Sequence, residues 1–148
     1  MGVRLIFQGH TRVRIARIPL ARLGASCRNT HQDTGCFQPY GEWRDMRNGQ
    51  VIRVTFRPTI YLNSSLSGAA ADDALSHENR HFDDFKRLAT ALRQTLTAAA
   101  DAGTLNSDNM ESYWNWFLYD VCSASAAFHR TTGGMVEHCS RPSGTRPR

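Results

Sequence analysis

Residues 77–81 read His-Glu-Asn-Arg-His, two imidazoles four positions apart with a carboxylate directly after the first. Positions four apart on an α-helix stand one turn apart on the same face, so both rings can reach one Zn²⁺ at about 2.0–2.1 Å. Glu78 is then placed to act as general base on a metal-bound water whose pKa the ion lowers towards about 7. Such a site hydrolyses amide bonds. On a helical wheel, Leu75, Glu78, His81, Phe82, Phe85, Leu88, Ala89, Leu92 and Leu96 share one apolar stripe, with His77 at its edge. Glu78 and His81 are therefore expected to point inward, where an ionised carboxylate is costly unless something pairs with it. A metal ion and its water would explain that placement.

A catalytic zinc site takes three protein ligands, so a third side chain is required. The candidates are Asp83, Asp84, Glu111, Asp120, His129 and His138. If the motif helix and the next one form an antiparallel hairpin around residues 103–107, equal rise along both places His81 opposite residue 129. His129 is accordingly the first choice. On the same reckoning Glu111 lies about 27 Å from the metal and reads better as a helix cap. Asp84 follows His81 on the same helix, and three ligands from one straight helix cannot easily close a tetrahedron. Its expected role is to hold a histidine ring. Asp83 points to solvent. His138 is second choice, because a bridge between Cys122 and Cys139 would draw its loop back onto the second helix. Tyr119 is expected to pack in the core.

The elements that must position these residues are legible in outline. Apolar and basic residues alternate between Val3 and Leu23, most clearly at Arg12-Val13-Arg14-Ile15, which predicts one or two strands. Residues 24–50 are rich in Gly, Asn, Asp, Gln and Pro and predict a long loop, anchored by Trp43 and pinned by a disulfide. Ile52, Val54 and Phe56 alternate with Arg53, Thr55 and Arg57; Pro58 interrupts this ladder before Thr59–Leu62, predicting a strand at a sheet edge. Helices are predicted from about Ala70 to Ala102, stopped by Gly103, and from about Ser107 to His129, opened by Asp108 with Glu111 at capping-box spacing. Residues 1–140 are read as one domain and 141–148 as a flexible tail.

One domain suits a chain of 148 residues with 41% apolar content. Four cysteines without a Cys-x-x-Cys pair predict two disulfides, local pairing of Cys27 with Cys36 and Cys122 with Cys139 being the simplest of three connectivities. Disulfides point to an oxidising compartment, and the start lacks the long apolar stretch of a signal peptide. The expectation is therefore a secreted or periplasmic domain whose export signal has been removed, or a domain cut from a larger exported protein. The net charge of +5 is carried by arginines without aromatic interleaving and reads as a solvated surface. No nucleic-acid partner and no membrane partner are expected, and the oligomeric state is open.

Ser76-His77-Glu78-Asn79-Arg80-His81-Phe82-Asp83 resembles the motif helix of the zincin metallopeptidases. More narrowly, it is similar to secreted bacterial zinc-dependent proteases first catalogued as a domain of unknown function. Those proteins pair a Gly-x-Thr segment in an early strand, matched here by Gly9-His10-Thr11, with a helix continuing His-Phe-Asp. Their Tyr-Asp is present as Tyr119-Asp120, while the Thr-x-His-Gly that follows it in the family is not. The resemblance implies an α+β zincin-like fold, with a small antiparallel or mixed sheet, an edge strand on a long motif helix and a second antiparallel helix. It also implies zinc as cofactor, His77 and His81 as ligands, Glu78 as catalytic base, and peptide or protein substrates received along Thr59–Leu62, with Arg57 and Tyr61 shaping preference. A non-catalytic, metal-stabilised binding or toxin-like module is the rival reading.

Overall fold

A computed structural model describes residues 2–27, 33–133 and 138–148. Four strands and three helices follow in the order β1 (Arg4–Gln8), β2 (Arg14–Ile18), α1 (Leu20–Ser26), β3 (Gly35–Met46), β4 (Val51–Asn63), α2 (Gly68–Asp101) and α3 (Ser107–Thr132). This is an α+β arrangement.

The alternation read in Val51–Leu62 does make a strand, β4, but not an edge. β3 pairs antiparallel with β4 along nearly its whole length, Gly35 against Leu62 through Met46 against Val51. β1 pairs parallel with residues 51–55 and β2 parallel with residues 59–63. Since a strand has two edges, β1 and β2 must follow one another along the side that β3 leaves open. The sheet is thus mixed, with two parallel pairings and one antiparallel, and is not antiparallel throughout. Pro58, which has no N–H to donate, falls in the gap between the two parallel pairings and directly opposite Pro39 of β3.

Gly9 makes that gap possible. Its φ is +84°, and a Cβ on it would come within 2.2 Å of the Phe56 carbonyl oxygen. Only glycine lets the chain turn so close to β4 between two collinear strands.

Two further sequence expectations are corrected. Much of the expected loop at 24–50 is instead the end of α1 and the twelve-residue strand β3; its residues 28–32 lie outside the described residues. Gly35, Pro39 and Gly41 make β3 read as loop, yet an outer strand tolerates proline and glycine, and pairing with β4 overrides propensity. Gly41 also has a use, because a Cβ there would meet the Trp114 ring at 2.9 Å. α3 can therefore pack directly on β3. At the start of α3 the reciprocal cap is formed by Asn106 with Asn109, not by Asp108 with Glu111.

Even-numbered residues of β4 face the helices. Ile52, Val54 and Phe56 join Phe85, Leu92, Leu96, Met110, Trp114, Phe117 and Val121 in one core. The odd-numbered residues Arg53, Arg57 and Tyr61 lie on the opposite face by strand alternation. There Arg57 donates to Glu42 at 2.8 Å, and Tyr61 packs beside Leu23, Cys27 and Cys36. Disulfides Cys27–Cys36 and Cys122–Cys139 join α1 to β3 and α3 to the following segment. That segment runs back along α3: Arg146 forms a two-pronged pair with Asp120, and Tyr113 donates its hydroxyl to the Arg148 carbonyl.

Candidate metal centre

α2 and α3 form the expected hairpin, and at its open end three imidazoles converge. His81 Nε2 lies 3.0 Å from His129 Nε2 and 3.3 Å from His77 Nε2, and His77 Nε2 lies 3.3 Å from His129 Nε2. His81 and His129 are each 5% exposed and Glu78 is 2% exposed, while His77 is half-buried at the rim. Their positions follow from helical spacing: His77, Glu78 and His81 sit on the stripe that continues as Phe82, Phe85, Ala89 and Leu92 into the core. α3 carries His129 to the same level, 48 residues further along the chain.

Hydrogen bonding among the rings cannot account for this triangle. Each Nε2 either carries a proton or presents a lone pair. With two kinds of group at three corners, at least one side must oppose like with like. A cation at the centre removes the conflict by accepting all three lone pairs. The dimensions fit as well: tetrahedral ligands at about 2.0–2.1 Å stand roughly 3.3–3.4 Å from one another. His77, His81 and His129 can hold a metal ion.

The electrostatics favour neutral rings at His81 and His77. The pKa of His81 is lowered to about 3, chiefly because burial penalises the charged form, with further contributions from His129, His77 and Arg80. Burial and His129 also lower that of His77. A neutral imidazole keeps the lone pair that a metal requires. Glu78 lies beside the triangle, with Oε1 3.8 Å from His81 Nε2.

Two aromatic rings wall the site. Phe128 approaches His77 at 4.9 Å and His81 edge-on at 5.2 Å between centroids. Phe37 of β3 stacks on His81 at 6.4 Å. Sequence reasoning missed both roles, since Phe37 lay in an expected loop and Phe128 was not singled out from the second helix. The usable signal was that Phe128 immediately precedes the histidine chosen as third ligand.

The remaining candidates go elsewhere. Asp84, expected to hold a histidine ring, faces Arg80 at 3.7 Å and Arg87 at 3.5 Å. His81 Nδ1 has no hydrogen-bond partner among the described residues, so packing between Phe37 and Phe128 sets that ring's orientation. Asp83 is solvent-facing beside Lys86. Glu111 accepts from the Trp43 indole at 3.1 Å, Asp120 is taken by Arg146, and His138 is exposed. Tyr119 meets Trp116 edge-on, ten residues before His129 on α3. His10, in the Gly-x-Thr segment, accepts from Arg93 at 2.8 Å. Arg57 and Tyr61 lie on the face of the sheet turned away from the histidines. Thr59–Leu62 is paired on both sides, which removes it as a docking edge for substrate. No family model, no curated protein and no solved structure matches the chain.

Proposed function

We propose that the chain is a zinc-dependent peptidase of the zincin type, acting on peptide or protein substrates in a secreted or periplasmic setting. The observation that carries this reading is the closure of three imidazole nitrogens to 3.0–3.3 Å beside a buried glutamate. Zinc suits three neutral nitrogen ligands and, when bound, supplies Lewis acidity and an acidified water. The local likeness of residues 76–83 to zincin helices points the same way, and two disulfides suit an oxidising compartment.

The chain's own residues divide the work. His77, His81 and His129 hold the ion as neutral donors. Glu78, one residue from His77 and against His81, takes the proton from the attacking water and returns it to the leaving amine. Phe37 and Phe128 keep the rings apart from bulk solvent and fix their planes.

Glu78→Gln tests the assignment, because it keeps size and removes the base. Zinc binding by calorimetry should persist, and hydrolysis of a casein or fluorogenic peptide substrate should fall by about 10²–10⁴-fold. Undiminished hydrolysis would sink the peptidase mechanism. Loss of zinc binding would instead make Glu78 a fourth ligand and the metal structural, which is the non-catalytic module.

A further inference from the structure

Arginine without acidic residues nearby in the sequence is most concentrated at the start of the chain, with a smaller group, Arg141, Arg146 and Arg148, at its end. Residues 1–32 contain six arginines and no aspartate or glutamate, so with +5 overall the remaining residues sum to −1. Four of the six, Arg12, Arg14, Arg17 and Arg22, lie exposed from the approach to β2 through α1. Among the described residues none of the four enters an ion pair. Of the eleven arginines after residue 32, five, Arg44, Arg57, Arg80, Arg87 and Arg146, face a carboxylate.

The same stretch carries Ile15, 45% exposed, and Leu20, 49% exposed, the two large apolar side chains that stand exposed among the described residues. Pro19 and Ala21, beside Leu20, are exposed too. β2 pairs with β4 on one side, and no described strand covers its other side. Ile15, whose partner Ile60 faces the helices, and Leu20 of α1, which packs on the other face beside Tyr61, thus flank the open edge of β2 among unpaired guanidinium groups.

That combination selects its partner. Phosphates of a nucleic acid would use the arginines, but branched aliphatic side chains add nothing to phosphate contact and offer no stacking surface. An anionic lipid surface uses both, with headgroups taking the arginines and the acyl boundary taking the aliphatics. We propose that the β2–α1 edge is a docking surface for anionic phospholipid membranes, on which the chain lies without spanning them. No described helix is long and apolar enough to cross a membrane. A solvated basic surface with no membrane partner is the expectation from sequence, and the docking surface is proposed in its place.

The docked geometry places the metal centre near the membrane. Ile15 pairs with Ile60, Ile60 with Phe37, and Phe37 stacks on His81. Two interstrand spacings, each about 4.8 Å, separate the docking edge from the strand over the histidines.

Co-sedimentation of the full chain with vesicles of phosphatidylcholine alone, and of phosphatidylcholine mixed with phosphatidylglycerol, tests this. Binding should require phosphatidylglycerol and weaken with salt. Arg14→Glu with Arg17→Glu should lower affinity on the order of tenfold or more, and Ile15→Ser with Leu20→Ser several-fold, both with unchanged melting temperature and zinc binding. Absence of binding to the mixed vesicles, equal binding to both kinds, or indifference to both variant pairs would overturn the proposal. So would tighter binding to duplex DNA that ignores Ile15→Ser with Leu20→Ser, which would make the edge a nucleic-acid surface.

Discussion

The two ends of the α2–α3 hairpin are built on different principles. Near the turn, Leu96, Leu105, Met110, Trp114 and Phe117 are buried against one another and against β4, and each apolar surface finds an apolar neighbour. At the open end, Glu78, His81 and His129 are buried as deeply, yet what they bury is polar. Packing explains the first end completely. It explains the second only where Phe37 and Phe128 meet the rings, because the three facing nitrogens oppose one another without a cation. Burial alone therefore does not separate core from site, whereas the chemistry of what is buried does.

The sharpest way to break this comparison is to damage each end and ask whether the other notices. Leu96 is fully buried, and Leu96→Ala should cost about 2–5 kcal/mol of stability. Its zinc affinity should stay unchanged when measured below the new melting temperature. His129→Ala should show the reverse, losing the stabilisation that metal gives the folded chain, about 2.7 kcal/mol at a hundredfold excess over Kd. Thermal melts with and without zinc distinguish the two. If zinc raised the melting temperature of His129→Ala as much as that of the parent, the third ligand would be misassigned.

How the ends were legible from sequence differs in the same way. The motif at 77–81 and the stripe from Phe82 to Leu96 obey helical spacing, so both declare themselves locally. His129 was reachable because a tight hairpin ties position along one helix to position along the other. β3 was not, since Gly35, Pro39 and Gly41 are poor strand formers and only pairing with β4 makes them a strand. Two parallel partners sharing one side of β4 could not be foreseen either, because that depends on the turn at Gly9 against the Phe56 carbonyl. α1 is seven residues long, too short for a periodic signature, and Asp108 and Glu111 imitate a cap that Asn106 and Asn109 form.

Acid should separate the ends in a metal-chelated sample. His81 is held at about 3 in the folded chain against 6.5 when free, and His77 is lowered in the same direction. Below 6.5 the unfolded chain therefore binds protons that the folded chain refuses. Stability is full above 6.5 and declines as pH falls, continuing towards 3. Glu42, whose pKa is lowered from 4.5 by Arg57 and then Arg44, adds its own loss only below that value. Urea midpoints between 6.5 and 4.5 should accordingly fall in the parent and fall less in His81→Gln. An equal slope in both would place the acid sensitivity elsewhere, with His10, lowered by burial and Arg93, the next group to replace.

The smallest expected effect concerns the face of the sheet turned away from the site. Arg57 was expected from sequence to shape substrate preference, but it points away from the histidines and pairs with Glu42 at 2.8 Å on an exposed surface. An exposed ion pair contributes little, because water screens it and both long side chains lose freedom in forming it. Arg57→Ala should leave the melting temperature, zinc affinity and peptide hydrolysis unchanged within error. Phe37 sits on the neighbouring strand in contact with His81, and Phe37→Ala should weaken zinc binding by loosening that ring. A variant pair on two adjacent strands thus reads the sheet's two faces separately. A loss of hydrolysis in Arg57→Ala with Phe37→Ala silent would reverse the orientation of β4 on which the whole placement of the site depends.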